Sequence, residues 1–153
     1  MAAGTFQFYD ATAKFLLGGA DFTTNTIKVA IVTASYTPNQ DTDDAWADVS
    51  ANEIGSTNTG YTTGGYTLLS PAITETTKGF FFDSADPTWT AGSSNLPTHK
   101  YYVMYISGTV EAITNPLIGY FEGESGSTVP ETTSGNTLTI TVPTAGWFDV
   151  TRP

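Results

Sequence analysis

Apolar and polar positions alternate over short runs along most of the chain, and only once do the apolar ones recur at helical spacing. Phe8, Ala11, Thr12, Phe15 and Leu16 fall on one helical face, and Gly18-Gly19 follows Leu17 as a stop. The pattern predicts one short N-terminal helix of about ten residues. From Thr26 to Thr33, Ile27, Val29 and Ile31 alternate with Lys28, Ala30 and Val32, the pattern of a strand. Its second face is only partly polar, which places it near the middle of a sheet. Further strands are predicted over Tyr66–Leu69, Gly79–Asp83, Tyr101–Ile106, Leu117–Glu122 and Thr137–Val142, with a last one over Trp147–Val150. Turn material separates them at Thr62–Gly65, Ala91–Ser94, Thr114–Pro116 and Gly123–Gly126. Tyr101, Tyr102 and Tyr105 occupy both faces of one strand, so part of that row is expected exposed or buried against another subunit.

Roughly six to eight strands spaced in this way predict a mainly β fold. The expected architecture is an antiparallel β-sandwich or jelly-roll-like barrel with the one N-terminal helix, in a single domain over 1–153. Ser35–Glu53 stands apart as a long aperiodic stretch holding Pro38, Asp41, Asp43, Asp44 and Asp48. A loop of that length is usually functional or packed as its own unit. Asp43 or Asp44 is expected to cap a single helical turn through Trp46 and Val49. Residues 1–5 are small and polar and read as an arm, flexible or ordered by a partner.

Composition agrees with the pattern. The chain has 29 threonines beside eight Tyr and nine Phe, residues that suit a pleated, half-buried surface. Fifteen acids stand against five bases, so phosphate backbones and anionic membrane surfaces repel the chain, and neither nucleic acid nor membrane is an expected partner. The apolar run Phe15–Leu17 is too short for a membrane span or a signal-peptide core, and no secretory route is legible. Cysteine is absent, which excludes disulfides, thiolate zinc sites and thiol redox chemistry and fits synthesis in a reducing cytoplasm.

Catalytic constellations are hard to assemble. Gly123-Glu-Ser125-Gly-Ser127 approaches a nucleophile elbow but lacks the final glycine. His99 is the one imidazole, at a strand entrance between Thr98 and Lys100, and reads as a solvent-facing or hydrogen-bonded structural residue. Asp41, Asp43 and Asp44 are weak metal-ligand candidates; counted from Asp41, the EF-hand places for Gly and Glu hold Trp46 and Asn52. The bland reading, a solvated acidic loop, is preferred. Gly18-Gly19 and Gly64-Gly65 lack the spacing and following Lys of a phosphate loop. No cofactor is expected, and the chain is read as a non-enzyme. Trp46, Trp89 and Trp147 with the tyrosines suit a core or an interface better than a sugar-stacking platform.

A group of residues carries a resemblance. Thr26-Ile-Lys-Val-Ala-Ile-Val-Thr33, Ser35-Tyr-Thr-Pro-Asn-Gln40, Trp46-Ala-Asp48-Val, Asn52-Glu-Ile54 and Gly60-Tyr-Thr-Thr-Gly-Gly65 resemble a widespread group of short phage and prophage virion proteins. Phe8-Tyr-Asp10 with Lys14, Asp83, Asp86, Trp89, Lys100-Tyr-Tyr-Val103 and Pro116-Leu-Ile-Gly-Tyr120 extend the likeness over most of the chain. The resemblance implies a virion structural protein, best fitted by a capsid decoration or cement subunit. Such a subunit would be made in the bacterial cytoplasm, sit on the capsid surface, bind the major capsid protein and form a homo-oligomer, expected to be a trimer. No catalytic residue travels with it, and the motifs are expected to be structural corners. Contacts are expected from residues 1–5 and the Ser35–Asp48 loop, with Tyr36, Trp46 and Phe8 at the interface. Two alternatives stand beside this: a tail- or fibre-associated subunit, and a carbohydrate-binding adhesion module using exposed Trp46 or Trp89.

Overall fold

A computed structural model describes residues 4–123 and 127–152. The fold is mainly β, with several antiparallel sheets and two short helices. In chain order the elements are β1 (Gln7–Phe8), α1 (Ala11–Gly18), β2 (Ile27–Val32), α2 (Trp46–Val49), β3 (Tyr66–Thr67), β4 (Ala72–Thr76), β5 (Gly79–Asp83) and β6 (Thr88–Thr90). They continue with β7 (Tyr101–Ile106), β8 (Thr109–Val110), β9 (Ile113–Thr114), β10 (Leu117–Glu122), β11 (Thr137–Thr139) and β12 (Phe148–Thr151). A five-stranded antiparallel sheet, ordered β1-β10-β7-β2-β3, forms the centre. Smaller antiparallel sheets, β12-β5-β4 and β11-β6, form the opposing layer. The mainly β, antiparallel character expected from the sequence is present, with side chains of the smaller sheets sharing a core with the central one.

All six residues of β7 are buried, so both of its faces are covered. Tyr102, Met104 and Ile106 enter one core with Ile27, Val29, Ile31, Ile118 and Phe121, closed from the other side by Phe82, Trp89, Leu138, Trp147 and Phe148. Tyr101, Val103 and Tyr105 enter a second core with Ala30, Val32 and Leu117, closed by Tyr9, Tyr36, Trp46 and Val49. The tyrosine row expected to reach a surface or another subunit is thus consumed by the chain itself, because the aperiodic segment covers the second face. In β10 the register skips between Leu117 and Gly119, a bulge that lets Leu117 face one core while Phe121, four residues on, faces the other.

That segment is tied down by its backbone. Trp46 N–H donates to the Asn115 carbonyl (2.8 Å), Leu117 N–H to Asp44 (2.9 Å), Asp10 N–H to Gln40 (2.9 Å) and Ile54 N–H to Ile31 (3.1 Å). The helical turn at Trp46–Val49 forms as expected, but neither Asp43 nor Asp44 caps it with its side chain. Asp48 reaches back instead, its Oδ2 accepting from Asp44 N–H (3.1 Å) and Ala45 N–H (2.9 Å).

The first helix is shorter than its apolar spacing suggested. Phe8 pairs with Gly119 and Gln7 with Tyr120 in β1, because β10 offers them a sheet edge before the helix can begin. Gly19, with φ 111°, ends α1 while Ala20 N–H returns to the Phe15 carbonyl at 3.0 Å. The strands β1, β4, β6, β8 and β9 were not expected; each is short or lacks apolar alternation.

Trp46 is 8% exposed and stacks on Tyr105 with ring centroids 4.8 Å apart and planes 6° from parallel. Trp46→Ala is expected to cost about 3–5 kcal/mol in urea unfolding. Leu17→Ala, at a side chain 91% exposed, is expected to stay within about 0.5 kcal/mol of the parent.

Candidate functional site

The residues proposed from sequence for contacts with other molecules are placed mainly inward. Tyr36 is buried and its hydroxyl donates to Asp43 Oδ2 (2.6 Å). With its own proton so engaged, the Tyr36 oxygen accepts from the Tyr9 hydroxyl at 2.7 Å. Burial, above all, pushes both phenols well above their ordinary range. These are fasteners between the aperiodic segment and α1's entrance, not exposed anchors. Trp46 is the plug described above. Phe8 is half-buried, packed edge-on against Phe148 (4.8 Å) and Phe6 (5.2 Å), where it joins β1 to the β12 sheet. The interface assignment of Tyr36 and Trp46 is therefore corrected: covering the second face of β7 uses the apolar area that an anchor would need. Of the expected arm, residues 1–3 lie outside the described residues, and Gly4 lies so close to the Glu122 carbonyl that a Cβ would stand 2.3 Å from it.

Asp41, Asp43 and Asp44 do not converge. Asp43 Oδ2 also accepts from Asn39 N–H (2.9 Å), which makes it the brace of its own loop. Among the described residues no three His, Asp or Glu side chains gather as metal ligands would. The nucleophile-elbow candidate has residues 124–126 outside the described residues.

Three of the sequence strings, Thr26–Thr33, Asn52–Ile54 and Gly60–Gly65, meet at one corner. Glu53 Oε1 accepts from the Tyr61 hydroxyl (2.6 Å) and from Gly64 N–H (2.6 Å). The Tyr61 oxygen in turn accepts from Ile31 N–H (3.2 Å), and the Tyr105 hydroxyl donates to the Gly64 carbonyl (2.6 Å). Burial raises the Tyr61 phenol far above its usual range and the Tyr105 phenol to about 12, so both remain protonated donors. Gly65 has φ 81°, and a Cβ there would stand 2.4 Å from the Val29 carbonyl oxygen, which fixes glycine at this place. The Asn52-Glu-Ile54 and Gly60–Gly65 strings are thus one hydrogen-bonded latch onto β2 and β7.

Of the two expected placements of His99, solvent-facing or hydrogen-bonded, it takes the second and is fully buried. Nδ1 lies 2.8 Å from the Pro97 carbonyl, which only accepts, so Nδ1 carries the proton. Nε2 therefore accepts from the Tyr102 hydroxyl at 2.6 Å. Burial lowers the imidazole's pKa, against a smaller opposing pull from the Pro97 carbonyl. A shallow groove of about 410 Å³ lies between β3 and β6, lined by Lys28, Thr62, Tyr66, Thr88, Trp89 and Thr90 among others. Among the described residues that line it, Lys28 is the one charged group, with no carboxylate or imidazole. Trp89 is 4% exposed and Trp147 5%, so with Trp46 no tryptophan presents a face to a sugar ring.

What remains outward is different. Leu69, Ile73 and Val150, three of the four exposed large apolar side chains among the described residues, lie beside or on the β12-β5-β4 sheet. β4 is exposed along its whole length. Sequence reasoning missed this surface because Ala72-Ile-Thr-Glu-Thr76 carries one large apolar residue and no alternation. No protein-family model, no curated protein and no solved structure matches the chain.

His99 yields a pH dependence. Its folded pKa is depressed, so below the unfolded value of about 6.5 the unfolded chain binds the extra proton. Stability is therefore complete above that pH and falls as the solution is acidified towards the folded pKa, by at most about 1.4 kcal/mol per pH unit. Urea unfolding at a series of pH values from neutral downwards should show this loss. His99→Gln, with no other histidine in the chain, should be less stable at neutral pH but flatter in this window.

Proposed function

We propose that the chain is a structural subunit of a bacteriophage particle, a capsid decoration protein that binds the outer surface of the major capsid protein shell and stabilises it. It resides on the virion after synthesis in the host cytoplasm, and it associates with itself, a trimer being the expected state. The observation that carries this reading is the fate of the motif residues. The strings that resemble phage virion proteins are used to latch a cover onto a doubly buried sheet, as a rigid particle component requires. Burial and internal hydrogen bonds keep the Tyr36 and Tyr61 phenols protonated and tie the buried His99 into the body of the fold. An acidic, threonine-rich exterior keeps decorated particles apart, and many weak contacts repeated over a shell give high avidity. Among the described residues no helix is long and apolar enough to cross a membrane.

Mixing purified protein with undecorated phage heads and imaging them by cryo-electron microscopy tests the reading. Regular density at threefold or quasi-threefold positions on the shell is the expected result. Bare shells, or density confined to the tail, would overturn the decoration role. Removing residues 1–5 should lower occupancy on the heads; unchanged occupancy would take the arm out of the contact.

A further inference from the structure

We infer that copies of this chain join head to tail through the β12-β5-β4 sheet, β4 of one copy pairing in parallel with β12 of the next. The inference rests on the self-association in the reading above and not on the shell.

Free edges come first. β4 has five residues and β12 four, and among the described residues each ends its sheet with one side unpaired. The ends of the central sheet, β1 and β3, have two residues each and offer almost no template. Proteins usually blunt long edges with lysine, proline or a bulge. Ala72-Ile-Thr-Glu-Thr76 and Phe148-Asp-Val-Thr151 contain neither lysine nor proline, and their pairings with β5 run without a register break. Ile73 (43% exposed) and Val150 (40%) lie on these two edges, on the face that continues from the buried Phe82 and Phe148.

The two edges also match each other. Both are antiparallel to β5, so they run parallel, and β5 sets a common level for their residues. Through it Ile73 stands level with Phe148, Thr74 with Asp149, Glu75 with Val150 and Thr76 with Thr151. Arg152, whose N–H donates to the Lys78 carbonyl at 2.8 Å, follows at the hairpin tip. When a second copy continues the sheet in this register, Glu75 and the next copy's Arg152 lie on the same face two residues apart, a diagonal position for opposite charges once the Arg152 guanidinium turns from its own Thr77 carbonyl (3.2 Å) to the neighbour. The Thr74 hydroxyl meets the neighbouring Asp149 carboxylate. The self-complementary alternative, β4 against β4 about Thr74, instead brings two Glu75 side chains into the same diagonal relation, which disfavours it. A head-to-tail contact closes into a ring when its rotation permits, so each copy uses both edges and none is left open.

The absence of cysteine makes a direct trap available. Thr74→Cys and Asp149→Cys proteins, one carrying a size tag, are mixed in equal amounts without particles and gently oxidised. Within one copy the two positions are separated by β5, too far apart for a disulfide, so every bridge reports on two copies. The mixed dimer should exceed the half of all bridges that random collision gives, by several-fold over either self-dimer. Glu75→Lys should reduce it several-fold, and adding Arg152→Glu should restore it. A statistical mixture, or a dominant self-dimer of the Thr74→Cys protein, would overturn the inference. Because no shell is present, failure here leaves the decoration reading to the head-binding experiment, and bare heads there leave this trap unaffected.

Discussion

The strand Tyr101–Ile106 is apolar on both faces, and a strand of that kind has to be covered twice. The first cover is ordinary sandwich packing, supplied by Phe82, Trp89, Leu138, Trp147 and Phe148 from the smaller sheets. The second comes from a segment with almost no regular structure, which brings Tyr36, Trp46 and Val49 onto Tyr101, Val103 and Tyr105. Aperiodic chain exposes backbone groups that must find partners when it is laid over a core. That requirement explains the network around it: the Asn115, Asp44 and Ile31 carbonyls, the Asp48 cap and the Glu53 latch each satisfy or position part of the cover.

Polar side chains in this protein accordingly serve as joints. Glu53 gathers a phenol and a backbone amide onto one oxygen, and Asp43 does the same for Tyr36 and Asn39. Thr12 fastens α1 to the bulge of β10 through its hydroxyl, which donates to the Ile118 carbonyl at 2.6 Å. No buried side-chain polar atom among the described residues lacks a partner. A body satisfied in this way keeps its shape, and the exposed apolar side chains Ile73 and Val150 lie on the β12-β5-β4 sheet.

The sequence was readable where burial leaves a rhythm. β2, β7 and β10 announce themselves through dense β-branched and aromatic residues, and the turn at Trp46–Val49 through its two apolar residues after a run of acids. β4 left no rhythm because all five of its residues face solvent. Phe8 misled because its spacing to Ala11, Thr12 and Phe15 is helical, while a nearby sheet edge draws it into a strand. Tyr36 and Trp46 were recognisable as large buried-type residues, but one chain's sequence does not say whether the covering partner is itself or another molecule. The latch between Glu53, Tyr61 and Gly64 joins two strings, Asn52-Glu-Ile54 and Gly60–Gly65, that the sequence alone does not bring together. The free edges were not legible, since an edge is a property of the ladder rather than of the strand.

Amide hydrogen exchange on the isolated protein tests most directly whether the chain closes both faces of its own sheet. The amides of Trp46, Ile54 and Gly64, which hold the cover, should exchange as slowly as those of Val103 and Met104, through global unfolding alone. If instead the cover amides exchange orders of magnitude faster while the strand stays protected, the segment is not an integral layer of the fold. The second face of Tyr101–Ile106 would then require a partner molecule to cover it.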